Sequence, residues 1–204
     1  MTSPAWSICV FCGSSDDVAA QYVAAARDLG RAIGQRGLTL VYGGGGTGMM
    51  KALADGALAA GGRVIGVLTE QFDQPALRYP ALSVKHVVPT MHQRKALMGE
   101  LSEAFVALPG GLGTLDELFE VLAWAQLGLH RRPIGLLNVH GYYDPLLAVI
   151  QRAREEGFLD RAADGLLLTE AEPHALLGRL DGERPRAGLE RGPGPSAARR
   201  LRSG

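Results

Sequence analysis

The chain has 204 residues, 47% of them hydrophobic, and its 21 lysines and arginines are balanced by 21 aspartates and glutamates. This length and apolar content fit one α/β domain with a single substantial core better than two small domains. Six of the arginines lie in residues 181–204. The rest of the chain is therefore mildly acidic, which argues against wholesale nucleic-acid binding.

Strand and helix patterns alternate along the chain. Short apolar runs predict strands at residues 7–11, 38–42, 63–68, 83–88, 104–108, 133–139 and 165–168. Helical spacing of apolar residues predicts helices over about 16–35, 49–60, 91–101, 114–126, 143–156 and 170–180. We interpret residues 69–81 as a loop over the site. Alternation at this spacing predicts an α/β fold, a doubly wound parallel sheet with helices on both faces.

The domain is expected to end near residue 180. Residues 181–204 contain five glycines and three prolines with few large apolar side chains, a composition typical of disorder. The sequence has no stretch of about 18 uninterrupted apolar residues, and its first residues do not have the pattern of a signal peptide. We therefore expect no membrane association and a cytoplasmic location.

The two cysteines form a C-x-x-C pattern, Cys9 and Cys12, inside the first predicted strand and its end. Positions three apart in a strand face opposite sides of the sheet, whereas a redox pair usually caps a helix. We interpret both as buried structural cysteines.

Several turns follow the predicted strands. In a parallel sheet the carboxyl ends of the strands meet at one edge, where ligands bind. That edge would gather Ser14, the glycine run of residues 43–48, the turn at 89–94 and the turn at 109–114. The candidate ligand site therefore lies there.

The turn at residues 109–114 delivers the chain into a helix that begins near Thr114. The first N–H groups of a helix lack intrahelical partners and bind anions. The same residues allow a structural interpretation, because Thr114 and Glu117 have the spacing of a capping box. Both interpretations remain open at this point.

The glycine run at 43–48 matches G-x-G-x-x-G, and Glu70 follows at the distance of a ribose-binding acid. A nicotinamide-dependent oxidoreductase is therefore one alternative. The match is weak, because a run of glycines satisfies it trivially and follows the second strand rather than the first. Two glycine turns, each opening a helix, suit a nucleoside monophosphate better.

Two adjacent cations, Arg94 and Lys95, begin an otherwise apolar helix. Cations at a helix N-terminus oppose its dipole, which favours a binding role for them. A solvated basic turn is the alternative interpretation.

In these stretches the chain resembles the LOG ("Lonely guy") proteins, cytokinin riboside 5′-monophosphate phosphoribohydrolases that were long mislabelled as lysine decarboxylases. The resemblance covers about residues 7–168. It is carried by VFCGSS at 10–15, VYGGGGTGMM at 41–50, MHQRK at 91–95, LPGGLGTLDELFE at 108–120 and WAQLGLHRRPIGLLNVHGYYDPLL at 124–147.

The resemblance implies a Rossmann-like fold, a homodimer, and hydrolysis of the N-glycosidic bond of an N6-substituted adenosine 5′-monophosphate, with AMP as a further substrate. No metal and no organic cofactor are implied. Arg94 and Glu117 match the family's catalytic pair. The candidate substrate-binding residues are Ser14, Gly43, Gly44, Gly45, Lys95, Gly110, Gly111, Leu112, Gly113, Thr114, Leu115 and Asp116.

These residue types suit cleavage of a ribosyl bond. Positive charge develops on the sugar and negative charge on the departing base, so a carboxylate near the anomeric carbon and a nearby cation each stabilise one part. A nucleotide-binding carrier or sensor without turnover is the remaining alternative from another functional class.

Overall fold

The computed structural model describes residues 6–159 and 165–184. Its strands are β1 (Ser7–Phe11), β2 (Thr39–Tyr42), β3 (Arg63–Thr69), β4 (Val84–Val88), β5 (Ala104–Ala107), β6 (Ile134–Leu137) and β7 (Leu167–Glu170). Its α-helices are α1 (Ala20–Gln35), α2 (Gly48–Ala59), α3 (Met91–Glu100), α4 (Leu112–Gln126), α5 (Asp144–Glu155) and α6 (Pro173–Gly182).

The seven strands form one sheet in the order β4-β3-β2-β1-β5-β6-β7, and every neighbouring pair is parallel. The chain winds outward from β1 in one direction and then returns to begin β5 on its other side. β1 therefore lies between β2 and β5, where a crevice opens at the carboxyl ends of the strands. The predicted doubly wound α/β fold is confirmed.

Helices cover both faces of the sheet. One apolar layer joins α1, α2 and α6 to the sheet, and the other joins α3, α4 and α5 to the opposite face. The strand residues alternate between the two layers, as Ile8 and Cys9 do, because successive side chains of a strand point to opposite faces. Glycine allows α1 and α2 to touch, since a Cβ on Gly30 would lie 2.0 Å from the Leu53 carbonyl oxygen.

Cys9 and Cys12 are both buried and free, and they lie in opposite apolar layers. Burial raises the pKa of each thiol well above its usual value. The interpretation as structural cysteines agrees with this placement.

Several element boundaries differ from the prediction. α1 begins at Ala20 rather than near residue 16, because the Asp16 carboxylate accepts a hydrogen bond from Gly48 N–H and thus caps α2 instead of its own helix. β7 begins at Leu167, two residues late, after a turn in which Gly165 has φ +77°. α6 begins at Pro173, whose fixed φ suits the first turn of a helix.

The last described residues extend beyond the predicted end of the domain. α6 ends at Gly182, and the Arg184 guanidinium lies 4.6 Å from the centre of the Trp6 ring. The prediction of disorder from residue 181 is wrong for Asp181 and Gly182, which belong to α6, and its part over residues 185–204 lies outside the described residues. Within the described part of the chain, no helix is both long and apolar enough to cross a membrane.

Candidate active site

A buried ion pair links α3 to α4 at the carboxyl edge of the sheet. Arg94 Nη1 donates to Glu117 Oε1 at 3.0 Å, and Arg94 Nε donates to the carbonyl oxygen of Val67 in β3 at 2.9 Å. Both charged side chains are only 8% exposed. The two residues predicted as the catalytic pair are therefore neighbours, although 23 positions separate them in the sequence.

The carboxyl group of Glu117 is held in an environment that disfavours its charge. Burial raises the pKa of Glu117 above its usual value of about 4.5, and the Arg94 guanidinium offsets this only in part. A buried carboxyl group with a raised pKa and one cationic partner is a frequent arrangement at catalytic sites.

Gly43 gives Arg94 the space to reach Glu117. A Cβ on Gly43 would lie 2.0 Å from Arg94 Nη2, far inside van der Waals contact. The first glycine after β2 is thus explained by the guanidinium that passes against it.

The N-terminus of α4 is open. Gly111 is its N-cap residue and supplies no side-chain cap, and the first bond into the helix runs from Leu115 N–H to the Gly111 carbonyl oxygen at 3.1 Å. Among the described residues, the N–H groups of Leu112, Gly113 and Thr114 donate to no other protein atom. Together with the helix dipole, these three donors form an anion site.

The predicted capping box is wrong. α4 begins two residues before Thr114, so Thr114 is inside the first turn, where its side chain is buried against Gly110. Glu117 points away from the helix end and bonds to Arg94. Neither residue therefore caps α4, and Glu117 stays available for chemistry.

The N-terminus of α2 is closed, although a glycine run also precedes it. Gly48 N–H donates to Asp16 Oδ1 at 2.8 Å, and Met50 N–H donates to the Gly13 carbonyl oxygen at 3.2 Å. Two of the first three amides of α2 thus already have protein acceptors. The dinucleotide interpretation of this turn loses its structural basis, because those amides would have to bind a pyrophosphate.

The rest of the glycine run is fixed against the segment that follows β3. The Gly44 carbonyl accepts from Tyr79 N–H at 2.9 Å, and Gly45 forms an antiparallel bridge with Arg78. A Cβ on Gly44 would meet Leu68, and one on Gly45 would meet the Met50 sulfur at 2.7 Å. These two glycines are therefore explained by packing.

Lys95 lies beside the pair but faces α4. Its Nζ donates to Asp116 at 2.9 Å and forms an ion pair with Glu120 at 3.2 Å. Partial burial acts to lower the pKa of Lys95, but the two carboxylates outweigh this effect and raise it. Lys95 is thus held as a cation by two of its neighbours.

A cavity of about 420 Å³ opens on the α1–α2 side of the same edge. Its walls are formed by the turn after β1, the beginning of α1, one residue of α2 and the turn after β5. The lining residues are Gly13, Ser14, Ser15, Val18, Ala19, Tyr22, Met49, Pro109, Gly110, Gly111 and Tyr142. Arg94 and Glu117 are not among them, since the ion pair belongs to the α3–α4 layer.

The structure brings most of the predicted site residues to one edge of the sheet and adds two that had been given no role. The hydroxyl groups of Tyr142 and Tyr143 donate to carbonyl oxygens of the turn after β5. Both tyrosines lie in the motif at 124–147, but nothing in their spacing indicates which carbonyls they reach. Among the described residues, no group of three or more His, Cys, Asp or Glu side chains is placed to hold a metal ion.

The sequence matches one family model and many curated proteins. The model, described as "Possible lysine decarboxylase", matches residues 50–180. The chain is 50% identical over 157 residues to a cytokinin riboside 5′-monophosphate phosphoribohydrolase of Rhodococcoides fascians, covering 76% of this chain and 79% of that protein. It is 45% identical over 179 residues to a probable enzyme of the same name from Oryza sativa subsp. japonica, covering 88% and 72%.

Solved structures share the fold at lower identity. A molybdenum cofactor binding protein from Rippkaea orientalis superposes with a TM-score of 0.69 at 22% identity, over 89% of this chain and 98% of the other. The molybdenum cofactor carrier protein of Chlamydomonas reinhardtii gives 0.67 at 23% identity, over 88% and 98%. At this identity the likeness is one of fold alone.

Proposed function

Because the chain belongs to the LOG family, whose model is described as possible lysine decarboxylase, we propose that it is a cytokinin riboside 5′-monophosphate phosphoribohydrolase. It hydrolyses the N-glycosidic bond of N6-substituted adenosine 5′-monophosphates, and AMP is a further substrate. The products are the free base and ribose 5-phosphate. The observation that carries this proposal is the buried Arg94–Glu117 pair beside the open N-terminus of α4.

In the proposed reaction the bond between C1′ and the purine nitrogen breaks, and its electron pair leaves with the base. Water supplies the hydroxyl group to C1′ and the proton to the base. Glu117 lies against the sugar, where its carboxylate stabilises the oxocarbenium-like transition state and orients the water. Its Oε1 is already bonded to Arg94, so Oε2 is the oxygen we assign to the sugar.

Arg94 has a positioning role as well as an electrostatic one. Two of its N–H groups are used by Glu117 and Val67, which fixes the guanidinium plane. A guanidinium carries five N–H donors, so others remain for the nucleotide. We assign those donors to the leaving group or the nucleotide.

The phosphate is proposed to bind at the N-terminus of α4, on the amides of the turn at 110–116. Lys95 borders this turn through its ion pair with Asp116. Ser14 is exposed and borders the same crevice, and Gly43 borders the guanidinium of Arg94. Gly44 and Gly45 are proposed to border the substrate behind Gly43.

Incubation with isopentenyladenosine 5′-monophosphate and with AMP, followed by chromatography of the released base, tests this function. Release of base and an equal amount of ribose 5-phosphate supports the hydrolase. Tight binding of either nucleotide without release would instead favour the carrier alternative. Affinity only for a dinucleotide would contradict both.

A homodimer is also proposed for this chain. Support comes from large apolar side chains left in solvent along α4 and just after it, with Leu112 86% and Leu127 73% exposed. Such surfaces are typical of protein interfaces. Light scattering coupled to size-exclusion chromatography tests it, and a mass near the 21.6 kDa of one chain would contradict it.

We further propose a cytoplasmic location and a single catalytic domain that extends to the end of α6 at Gly182. The two reduced cysteines support the location, since disulfides are rare in the cytosol. The continuous seven-stranded sheet supports the single domain.

A further inference from the structure

Three carbonyl groups in the turn between β5 and α4 accept hydrogen bonds from other parts of the chain. The Leu108 carbonyl accepts from Tyr143 Oη at 2.6 Å, and the Gly110 carbonyl accepts from Tyr142 Oη at 2.7 Å. Between them, the Pro109 carbonyl accepts from Gly13 N–H at 3.1 Å. Three successive peptide planes are thus held by donors from outside the turn.

Fixing a carbonyl group also fixes the amide that follows it. In a planar trans peptide, the N–H of one residue points opposite to the carbonyl of the residue before it. The bond from Tyr142 to the Gly110 carbonyl therefore sets the direction of Gly111 N–H, at the N-cap of α4. The amide next to the three anion-binding donors is thus oriented by a side chain 32 positions away in the sequence.

The two tyrosines are themselves held firmly. Tyr143 is 1% exposed, and its N–H donates to Asn138 Oδ1 at 2.8 Å. The Asn138 amide group donates in turn to Asp144 Oδ1 at 2.7 Å. The rings of Tyr142 and Tyr143 meet edge to face, with centroids 5.0 Å apart.

The backbone before the tyrosines has a conformation that few residues adopt. His140 has φ +52° and Gly141 has φ +69°, both in the left-handed region. The His140 and Tyr142 rings both pack edge to face on Tyr22 of α1. The segment is therefore anchored on α1 by two ring contacts.

We propose that Tyr142 and Tyr143, which we call the tyrosine brace, are positioning residues that hold the turn after β5 in its phosphate-binding form. This inference rests on the proposed function, because it names the residues that orient the same phosphate site. The tyrosine brace acts on the phosphate end of the nucleotide and leaves the Arg94–Glu117 pair alone.

Tyr142→Phe tests the brace, because it removes only the hydroxyl group and keeps the ring. We expect the dissociation constant and the KM for AMP to rise about fivefold, the factor that one ordinary hydrogen bond contributes. The kcat should stay within about twofold, as for a loss of uniform binding. Binding of adenosine, which has no phosphate, should not change.

Tyr79→Phe is the matched control. It also removes a tyrosine hydroxyl bonded at 2.7 Å, but its acceptor is Asp55 and not the turn. We expect it to lower the melting temperature without changing the affinity for AMP relative to adenosine. A merely structural role for Tyr142 would make the two variants alike.

The proposed role of the tyrosine brace would be overturned if Tyr142→Phe weakened the binding of AMP and of adenosine equally, or if it changed neither. These binding measurements do not need turnover. A protein that binds AMP in the expected pattern but releases no base would keep the tyrosine brace and lose the proposed hydrolase function. A protein that releases base but does not bind AMP in the expected pattern would keep the proposed hydrolase function and lose the tyrosine brace.

Discussion

At the scale of single residues, the site depends on where a side chain is absent. Arg94 crosses from α3 to Glu117 only because Gly43 offers no Cβ in its path. A glycine run in a sequence suggests a ligand, but here its first member makes room for the protein's own guanidinium. The residue that looks like a binding element thus makes room for the proposed catalytic pair.

Gly43→Ala should displace the Arg94 guanidinium. Since a misplacement of about 1 Å at a catalytic group can cost a hundredfold in rate, we expect kcat to fall by roughly that factor. The free energy of unfolding should fall by about 3 kcal/mol, because Glu117 loses its buried partner.

Gly178→Ala is the control for this change. Gly178 lies in α6, and an added Cβ would have no atom within 4 Å. Alanine there should stabilise the helix by up to about 1 kcal/mol and leave the rate unchanged. A Gly43→Ala variant with the rate of the parent enzyme would contradict the proposed role of the guanidinium.

The pH dependence follows from the direction of the Glu117 shift. The proposed reaction needs the carboxylate, and burial raises the pKa of Glu117 above about 4.5. Below that raised pKa the group is protonated and inactive, so kcat/KM should increase with pH through a midpoint above 4.5. A rate profile whose acid limb has its midpoint at or below 4.5 would contradict this assignment.

The sequence allowed Arg94 and Glu117 to be proposed as a pair, and the structure shows that their side chains are in contact. Their catalytic role stays a prediction. Few carboxyl groups and few cations of this chain lie beside glycine turns, and the family resemblance identified Arg94 and Glu117 among them. It could not tell a capping Glu117 from a catalytic one. α4 begins at Leu112, which excludes the capping role, and helix starts depend on tertiary packing that a local pattern does not contain.

At the scale of elements, α2 and α4 both follow glycine turns, but the N-terminus of α2 is occupied by protein acceptors and that of α4 is open. In α2, two of the first three N–H groups donate to Asp16 and to the Gly13 carbonyl oxygen. In α4, the first three N–H groups lie before the first hydrogen bond of the helix and, within the described part of the chain, have no protein acceptor. The partners of α2 come from more than 30 positions earlier in the chain. A sequence pattern identifies a glycine turn before a helix, but it does not show whether the helix end is occupied.

Gly113→Asp should test the open end of α4. Gly113 is exposed in the first turn, and a side chain there meets no atom within 4 Å. A negative charge suits the helix dipole but repels a bound phosphate. We therefore expect the melting temperature to hold or rise, while the KM for AMP increases at least about tenfold.

Gly113→Asn has the same size without the charge, so the ratio of the two KM values isolates the electrostatic effect. Raising the salt concentration should reduce that ratio, because screening weakens interactions between exposed charges. Equal KM values for the Asp and Asn variants would contradict the proposal that the phosphate binds at this helix end.

At the scale of the whole molecule, the site joins two layers that the sheet keeps apart. Arg94 and Glu117 come from the α3–α4 layer, while the cavity beside Ser14 and Tyr142 belongs to the α1–α2 side. Both lie at the carboxyl edge of the sheet, around the ends of β1, β2 and β5. The alternating pattern predicted this edge, because a doubly wound sheet has one such reversal.

The contacts that complete the site were beyond prediction from the sequence. The bonds from Tyr142 and Tyr143 to the turn after β5 and the contact of Arg94 with Val67 all join residues more than 25 positions apart. Each is set by how strands and helices stack and not by a local motif. The fold class could therefore be predicted from the periodicity of apolar residues, whereas the orientation of the side chains in the site could not.

Steady-state hydrolysis of isopentenyladenosine 5′-monophosphate by Glu117→Gln tests the central claim most directly. The change keeps the shape and an acceptor for Arg94 but removes the charge. Glu103→Gln is the matched control, since Glu103 accepts from Ser7 N–H at the opposite edge of the sheet. We expect Glu117→Gln to lose at least about a hundredfold in kcat while it remains folded at the assay temperature, and Glu103→Gln to keep the parent rate. The melting temperature of Glu117→Gln should fall, because Arg94 loses its buried counter-charge. A folded Glu117→Gln protein that releases the base at the parent rate would contradict the account.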